Sequence, residues 1–251
     1  MVDMVSPEFS ILAFFPKEYM DIQILQLIEG AKNAKGLAII IDVFRAFSLA
    51  AYAFANHAEK IIPVGDLDIA FQLKKKNPEF ILIGERNEQK IPGFDYGNSP
   101  AHILNEDFSG KTIVHSTSAS TQGLVSASNA DEILTGSFVN AGAIVKYIQA
   151  HKPEHVSLVC MGYAATHPIE EDSFCAQYIK NEIEGSETDI EIMFRIIRNT
   201  SGRRFFIKDK QDYAPALDFE LCTSLNRFNF VIKAERKGDL LELKKINNKD
   251  R

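Results

Sequence analysis

The sequence predicts an α/β fold: a mostly parallel or mixed sheet with helices on both faces and a C-terminal antiparallel hairpin. Three observations carry this. Short apolar runs of strand length recur, among them Leu37–Ile41, residues 80–83 and residues 156–160; such uninterrupted runs belong to strands covered on both faces. Stretches with helical spacing of apolar residues separate them. Near the C-terminus, residues 228–235 and 240–245 alternate apolar and polar side chains around Lys237-Gly238, as an edge hairpin does.

Taken in order, residues 8–15 read as a first strand ending at Pro16. Residues 21–34, with Ile22, Ile24, Leu25, Leu27 and Ile28, read as a helix closed by the glycines at 30 and 36. The run 37–41 is a buried strand that stops at Asp42-Val-Phe-Arg45, and the alanine-rich residues 46–58 form a buried helix. A strand at 60–64, a helix at 66–76 and a strand at 80–83 follow. The segment 84–100, GERNEQKIPGFDYGNSP, holds prolines and glycines that suit turns rather than a helix or an uninterrupted strand, so it is a loop. After it come a strand at 112–115, a hydroxyl-rich turn at 116–123 and a short helix at 124–127. A strand at 132–135, a helix at 140–150, a strand at 156–160 and helices at 170–183 and 213–225 complete the pattern. Gly185–Thr188 is the only weak candidate boundary, so residues 1–251 are expected to form a single domain.

Composition narrows the partners. At 251 residues with 45% hydrophobic side chains, the chain can bury a substantial core. A net charge of -6 without a long basic run argues against nucleic acid or an anionic membrane surface. No transmembrane run or secretory leader is evident, which points to a cytoplasmic location. Cys160, Cys175 and Cys222 are odd in number and widely spaced, which disfavours disulfides and structural zinc.

The chemistry is expected at strand ends. If the strands at 37–41, 80–83 and 112–115 are parallel neighbours, Asp42 with Arg45, the loop acids Glu85 and Asp95 with Arg86, and Ser116, Thr117 and Ser118 share one rim. Carboxylates on loops suit Mg²⁺, arginines grip phosphate or sulfonate oxygens, and a hydroxyl-rich turn before a helix makes an anion cradle. Plainer readings stand beside these. Asp42 equally caps the next helix, residues 116–121 are equally a capping segment, Glu88 and Lys90 face solvent, and His115 is a core histidine. Glu170, Glu171 and Asp172 form an acidic first helical turn, one member of which is in reach of a metal.

Several segments, in this order, resemble one family: DVFRA (42–46), GER (84–86), GFDYGNSP (93–100), STSASTQG (116–123), GSFVN (136–140) and EED (170–172). Together they resemble 2-phosphosulfolactate phosphatases. The resemblance implies an α/β/α sandwich, that is, three layers, and a Mg²⁺-dependent hydrolysis of 2-phospho-3-sulfolactate to sulfolactate and phosphate, a step of coenzyme M biosynthesis. The chain departs from that pattern at Ser120, where glycine is common, and at Asn87-Glu88-Gln89, in place of a short glycine-containing turn.

The expected site then has Asp42, Arg45 and Arg86 as catalytic residues. Ser116, Thr117, Ser118, Asn98, Ser99 and Asn140 bind the substrate's anionic groups, with Asn98 and Ser99 alternatively pinning the loop. Glu85, Asp95 and Asp172 hold Mg²⁺, with Asp42 a further candidate ligand. The attacking group is either a metal-activated water or an aspartate. A phosphatase for another small phosphorylated acid and a non-catalytic anion-binding protein are the competing readings. The expected partner is a small anionic phosphorylated molecule, with no nucleic acid and no membrane. A homodimer through the hairpin's apolar face competes with that face packing on its own sheet.

Overall fold

The computed structural model describes residues 20–247, so the strand expected at 8–15 lies outside it. The chain runs β1 (Asp21–Gln26), α1 (Leu27–Asn33), β2 (Leu37–Ile41), α2 (Ala46–Ala55), β3 (Lys60–Pro63), α3 (Leu67–Lys76), β4 (Ile81–Arg86) and β5 (Gln89–Lys90). It continues with α4 (Pro100–Ile103), β6 (Thr112–Ser116), α5 (Ser120–Ser126), β7 (Glu132–Gly136), α6 (Ala141–His151), β8 (His155–Cys160) and α7 (Glu170–Glu184). The last elements are α8 (Ile190–Asn199), 3₁₀ turns at Ser201–Phe206 and Lys208–Lys210, α9 (Ala216–Cys222), β9 (Phe230–Lys237) and β10 (Leu240–Asn247).

Among the described residues, one sheet takes the strand order β1-β8-β2-β7-β9-β10-β3-β6-β4-β5. One wing, β1-β8-β2-β7, is parallel throughout. The other, β3-β6-β4, is parallel too. The β9–β10 hairpin joins them, antiparallel to β7 on one side and to β3 on the other. Strand β2 explains the layers: Ala38 and Ile40 pack with Leu49 and Phe54 of α2, whereas Leu37, Ile39 and Ile41 pack with Ile144 and Ile148 of α6 and Ile179 of α7. On the second wing, Leu82 and Val114 pack against Ala70 of α3. Helices thus cover both faces, as the uninterrupted apolar strands require.

Three expectations change. Residues 21–34 are a strand and then a short helix, because exposed Gln23 between Ile22 and Ile24 sets a period of two that pairs β1 with β8. The C-terminal hairpin is central, not at an edge. Its alternation remains because polar positions find ionic partners, Lys233 with Glu132 and Glu242 with Lys60, both at 2.8 Å. Its apolar residues Val231, Ile232, Leu241 and Leu243 lie in the protein's own core, so that face offers no dimer surface. Finally, β2 is not a neighbour of β4 and β6.

The strand ends nevertheless converge. β2 and β6 are formally antiparallel in the sheet, but five strand steps separate them. At about 20–25° of twist per step, they are rotated by roughly 100–125° relative to a flat sheet, which brings their C-terminal ends towards one side. The close β4–β6 pairing, with Gly84 opposite Ser116, seats the second wing's loops there. A Cβ on Gly84 would lie 2.3 Å from the Ser116 carbonyl oxygen. Gly84→Ala is expected to lower stability by about 1–3 kcal/mol, measured by denaturant unfolding; an unchanged midpoint would contradict this register.

Candidate functional site

The convergence forms a cleft lined by Asp42, Arg45, Glu85, Glu88, Asn98, Thr117, Ser118, Gly162, Tyr163 and Arg204, among others. Asp42 follows β2 directly. Its Oδ1 accepts from the Ala46 backbone N–H at 3.2 Å, so the side chain caps α2 and lines the cleft at once. Burial pushes its carboxyl up to about 7; Glu85 and Glu171 add to the rise, while the Ala46 N–H and Arg204 oppose it.

Glu85 ties two loops together. Its Oε1 accepts from Ser118 N at 2.9 Å and its Oε2 from Glu88 N at 3.0 Å. The hydroxyl-rich turn therefore already holds an anion, the protein's own carboxylate. The β4–β5 connection is a two-residue turn with Asn87 and Glu88 both left-handed, at φ 52° and 69°. That backbone is the hairpin turn geometry in which glycine is common, which is why a glycine-containing turn is interchangeable with it. Ser116 Oγ accepts from Arg86, and Thr117 Oγ1 is hydrogen-bonded to Ser120 Oγ, so the residue that departs from the family pattern holds its neighbour's hydroxyl.

Arg45 is buried and committed. It donates to Asp218 Oδ2 at 2.7 Å, to the Tyr213 carbonyl and to the Glu88 carbonyl. Asp218, fully buried, also accepts from Ser99 Oγ at 2.8 Å and Ala101 N at 2.9 Å. Ser99 thus pins the loop rather than facing the cleft. Asn98 lines the cleft and is bonded to His115 at 3.1 Å. Burial lowers His115 to about 4, so the ring is neutral at pH 7, the packed histidine the sequence suggests.

Other expected residues are placed elsewhere. Asp95 does not line the cleft; its Oδ2 accepts from Leu82 N at 2.7 Å and Lys74 Nζ at 3.3 Å, fastening the loop to β4. Arg86 lies outside the lining and donates to the carbonyls of Glu85 and Gly65 as well as to Ser116. Asn140 forms a capping box with Ser137 where β7 ends. Asp172 is buried with both oxygens occupied, by Val43 N at 2.9 Å and Gly162 N at 2.8 Å. Burial raises it well above the usual carboxylate range, with Asp42 and Glu171 adding to the effect. Glu88 does not face solvent: its carboxylate pairs with Arg204 at 3.0 Å and Lys210 at 2.8 Å.

Arg204 and Asp218 escaped sequence reasoning, and Glu171, expected only as one member of an acidic helical turn, has surroundings of its own. Glu171 is fully buried with neither oxygen hydrogen-bonded among the described residues. Burial raises its carboxyl and Arg204 opposes the rise. Arg204, from the 3₁₀ turn at Ser201–Phe206, lies close enough to hold down Asp42, Glu88 and Glu171 together. Asp218 carried one signal, an acid inside the apolar stretch Ala216–Cys222. Arg204 carried none beyond the pair Arg203-Arg204.

Among the described residues, no three of His, Cys, Asp and Glu form a group that could hold a metal. No helix there is long and apolar enough to cross a membrane, and the three cysteines are buried free thiols.

The family model described as 2-phosphosulpholactate phosphatase matches residues 22–237. A Bacillus subtilis protein named "Probable 2-phosphosulfolactate phosphatase" is 32% identical over 212 residues, covering 83% of this chain and 91% of the relative. Proteins of the same name from Thermotoga petrophila and Thermoplasma volcanium are 35% and 32% identical. The first covers 77% of this chain and 87% of the relative, the second 82% and 94%.

Proposed function

The chain belongs to the 2-phosphosulpholactate phosphatase family, and from that premise we propose that it hydrolyses the phosphate ester of 2-phospho-3-sulfolactate, releasing phosphate and 3-sulfolactate in a Mg²⁺-dependent reaction. The observation that carries this reading is the meeting of Asp42, Glu85 and Arg204 in one cleft at strand ends from both wings of the sheet. Acids and cations facing one space suit a reaction in which phosphoryl charge must be held and moved.

The donor set fits Mg²⁺. That ion commonly takes one or two carboxylates and completes its shell with water and substrate phosphate, so a preformed cage of three acids is not required. Asp42 and Glu85 line the cleft and would hold the ion. Their mutual repulsion, which helps raise Asp42, is what a cation relieves. When bound, the ion would neutralise phosphate oxygens and acidify a coordinated water.

The protein's own residues supply the rest. Arg204 offsets the charge of the bound anion, Thr117 and Ser118 border the phosphoryl group, and Glu85 keeps the Ser118 turn in register with the β4–β5 turn. Asp42 is the group placed to act on phosphorus or on the attacking water's proton. In the first route the leaving oxygen takes a proton from water and a second water then hydrolyses the aspartyl phosphate. In the second, Asp42 takes the attacking water's proton and passes it to the leaving oxygen, so either route breaks the ester P–O bond and ends in the substrate alcohol and phosphate. An aspartyl phosphate trapped on Asp42 selects the first route, and its absence under single-turnover conditions selects the second. On a panel of phosphorylated 2-hydroxy acids, 2-phosphosulfolactate is expected to give the highest kcat/KM; a clear preference for another member would overturn the substrate assignment while keeping the reaction class.

A further inference from the structure

Arg204 lines the cleft with donors to spare. A guanidinium carries five N–H groups; those of Arg204 reach Glu88 Oε1 at 3.0 Å and the Phe44 carbonyl at 3.1 Å. Arg45 contrasts with it, its side chain only 4% exposed and tied to Asp218, Tyr213 and Glu88. The rings of Phe44, Tyr163 and Phe205 lie 5.9, 5.9 and 5.2 Å from the Arg204 guanidinium carbon and restrict its orientation. Glu88 is itself held from the other side by Lys210 at 2.8 Å, so the turn between β4 and β5 is clamped to the segment that carries Arg204. Arg204 therefore enters the cleft from a different element than Thr117 and Ser118, on a support of its own.

A phosphorylated hydroxy acid carries a second anion beside its phosphoryl group, and a guanidinium matches the paired oxygens of a carboxylate or sulfonate. We infer that Arg204, positioned by Glu88, binds this second acidic group and so selects phosphorylated acids over simple phosphate esters. The inference rests on the phosphatase reading above. Arg204 is the recognition residue, and Glu88 acts through it.

The test compares the full chain with Arg204→Ala on phenyl phosphate, 2-phospholactate and 2-phospho-3-sulfolactate. The expected result is a rise in KM on the acid-bearing esters about 10- to 100-fold larger than any change on phenyl phosphate, the size of a lost charge-assisted hydrogen bond. A loss first seen with 2-phospholactate identifies the carboxylate as the partner, and a loss confined to the sulfonated substrate identifies the sulfonate. An equal loss on all three would overturn the inference. Calorimetry with phosphate-free 3-sulfolactate needs no turnover and separates this inference from the phosphatase reading: binding is expected to weaken at least about 10-fold in Arg204→Ala, and unchanged binding would overturn it. Glu88→Ala is expected to raise KM for the same esters with kcat held; a fall in kcat alone would remove Glu88 from the inference.

Discussion

Asp42→Asn is expected to reduce kcat by about 10³-fold, the scale of removing a charged group that acts on the transition state, while making the folded protein more stable at pH 8. The two effects have one cause. Folding raises the Asp42 carboxyl from 3.8 to about 7, chiefly through burial. The folded state therefore holds this proton more tightly than the unfolded chain does. The stabilisation that follows is complete below about pH 4 and is lost as pH rises through 7. At pH 8 the native protein carries a buried, repelled carboxylate that asparagine does not have, and the shift corresponds to about 4 kcal/mol as an upper bound. Thermal unfolding of both proteins from pH 4 to 8 checks this: the wild type should lose stability across that range more steeply than the variant. Parallel curves would mean that Asp42 is not strained by its surroundings, and full turnover would remove it from the reaction.

Asp218→Ala is expected to destabilise the protein by about 3–5 kcal/mol, because it leaves the Arg45 guanidinium buried without its counter-charge. Asp218 is fully buried and also accepts from Ser99 Oγ and Ala101 N, so the same change frees the loop that leads into α4. In a chain of this size, that corresponds to a fall in Tm of roughly 10 °C. Replacing both partners, Arg45→Met with Asp218→Leu, is expected to recover much of the loss, since it removes both charges from the interior. A single variant as stable as the wild type would show that the pair does not hold the cleft wall. The double-mutant cycle gives the coupling directly.

How far the sequence reveals this arrangement depends on the range of each interaction. Asp42 and Glu85 were legible because each follows an apolar strand, and the ends of such strands are where α/β folds place ligands. Ser118 was legible for the same reason, although its N–H serves Glu85. Asp218 and Arg204 were hidden because their partners lie far away in sequence. Arg45 and Asp218 are 173 residues apart, and Arg204 meets Glu88 across 116 residues. Arg204 also sits in a 3₁₀ turn, which has no apolar periodicity to mark it. Asp95 looked like a ligand because it shares a loop with Glu85, yet its carboxylate fastens that loop to the Leu82 N–H. The hairpin's alternation was read correctly as antiparallel strands. Its place was not legible, because period-two alternation reports the pleat and not whether ion pairs cover the polar positions.

The acids and arginines gathered in this cleft are expected to release phosphate from a phosphorylated sulfonic acid. The most direct measurement follows phosphate and 3-sulfolactate together when the purified full chain is given 2-phospho-3-sulfolactate, with Mg²⁺ or with EDTA. Equimolar formation of both products in Mg²⁺, arrested by EDTA and lost in Asp42→Asn, is the predicted result. Tight binding of the phosphorylated substrate with no release of either product under any metal condition would contradict the account and make the chain an anion-binding protein of this fold.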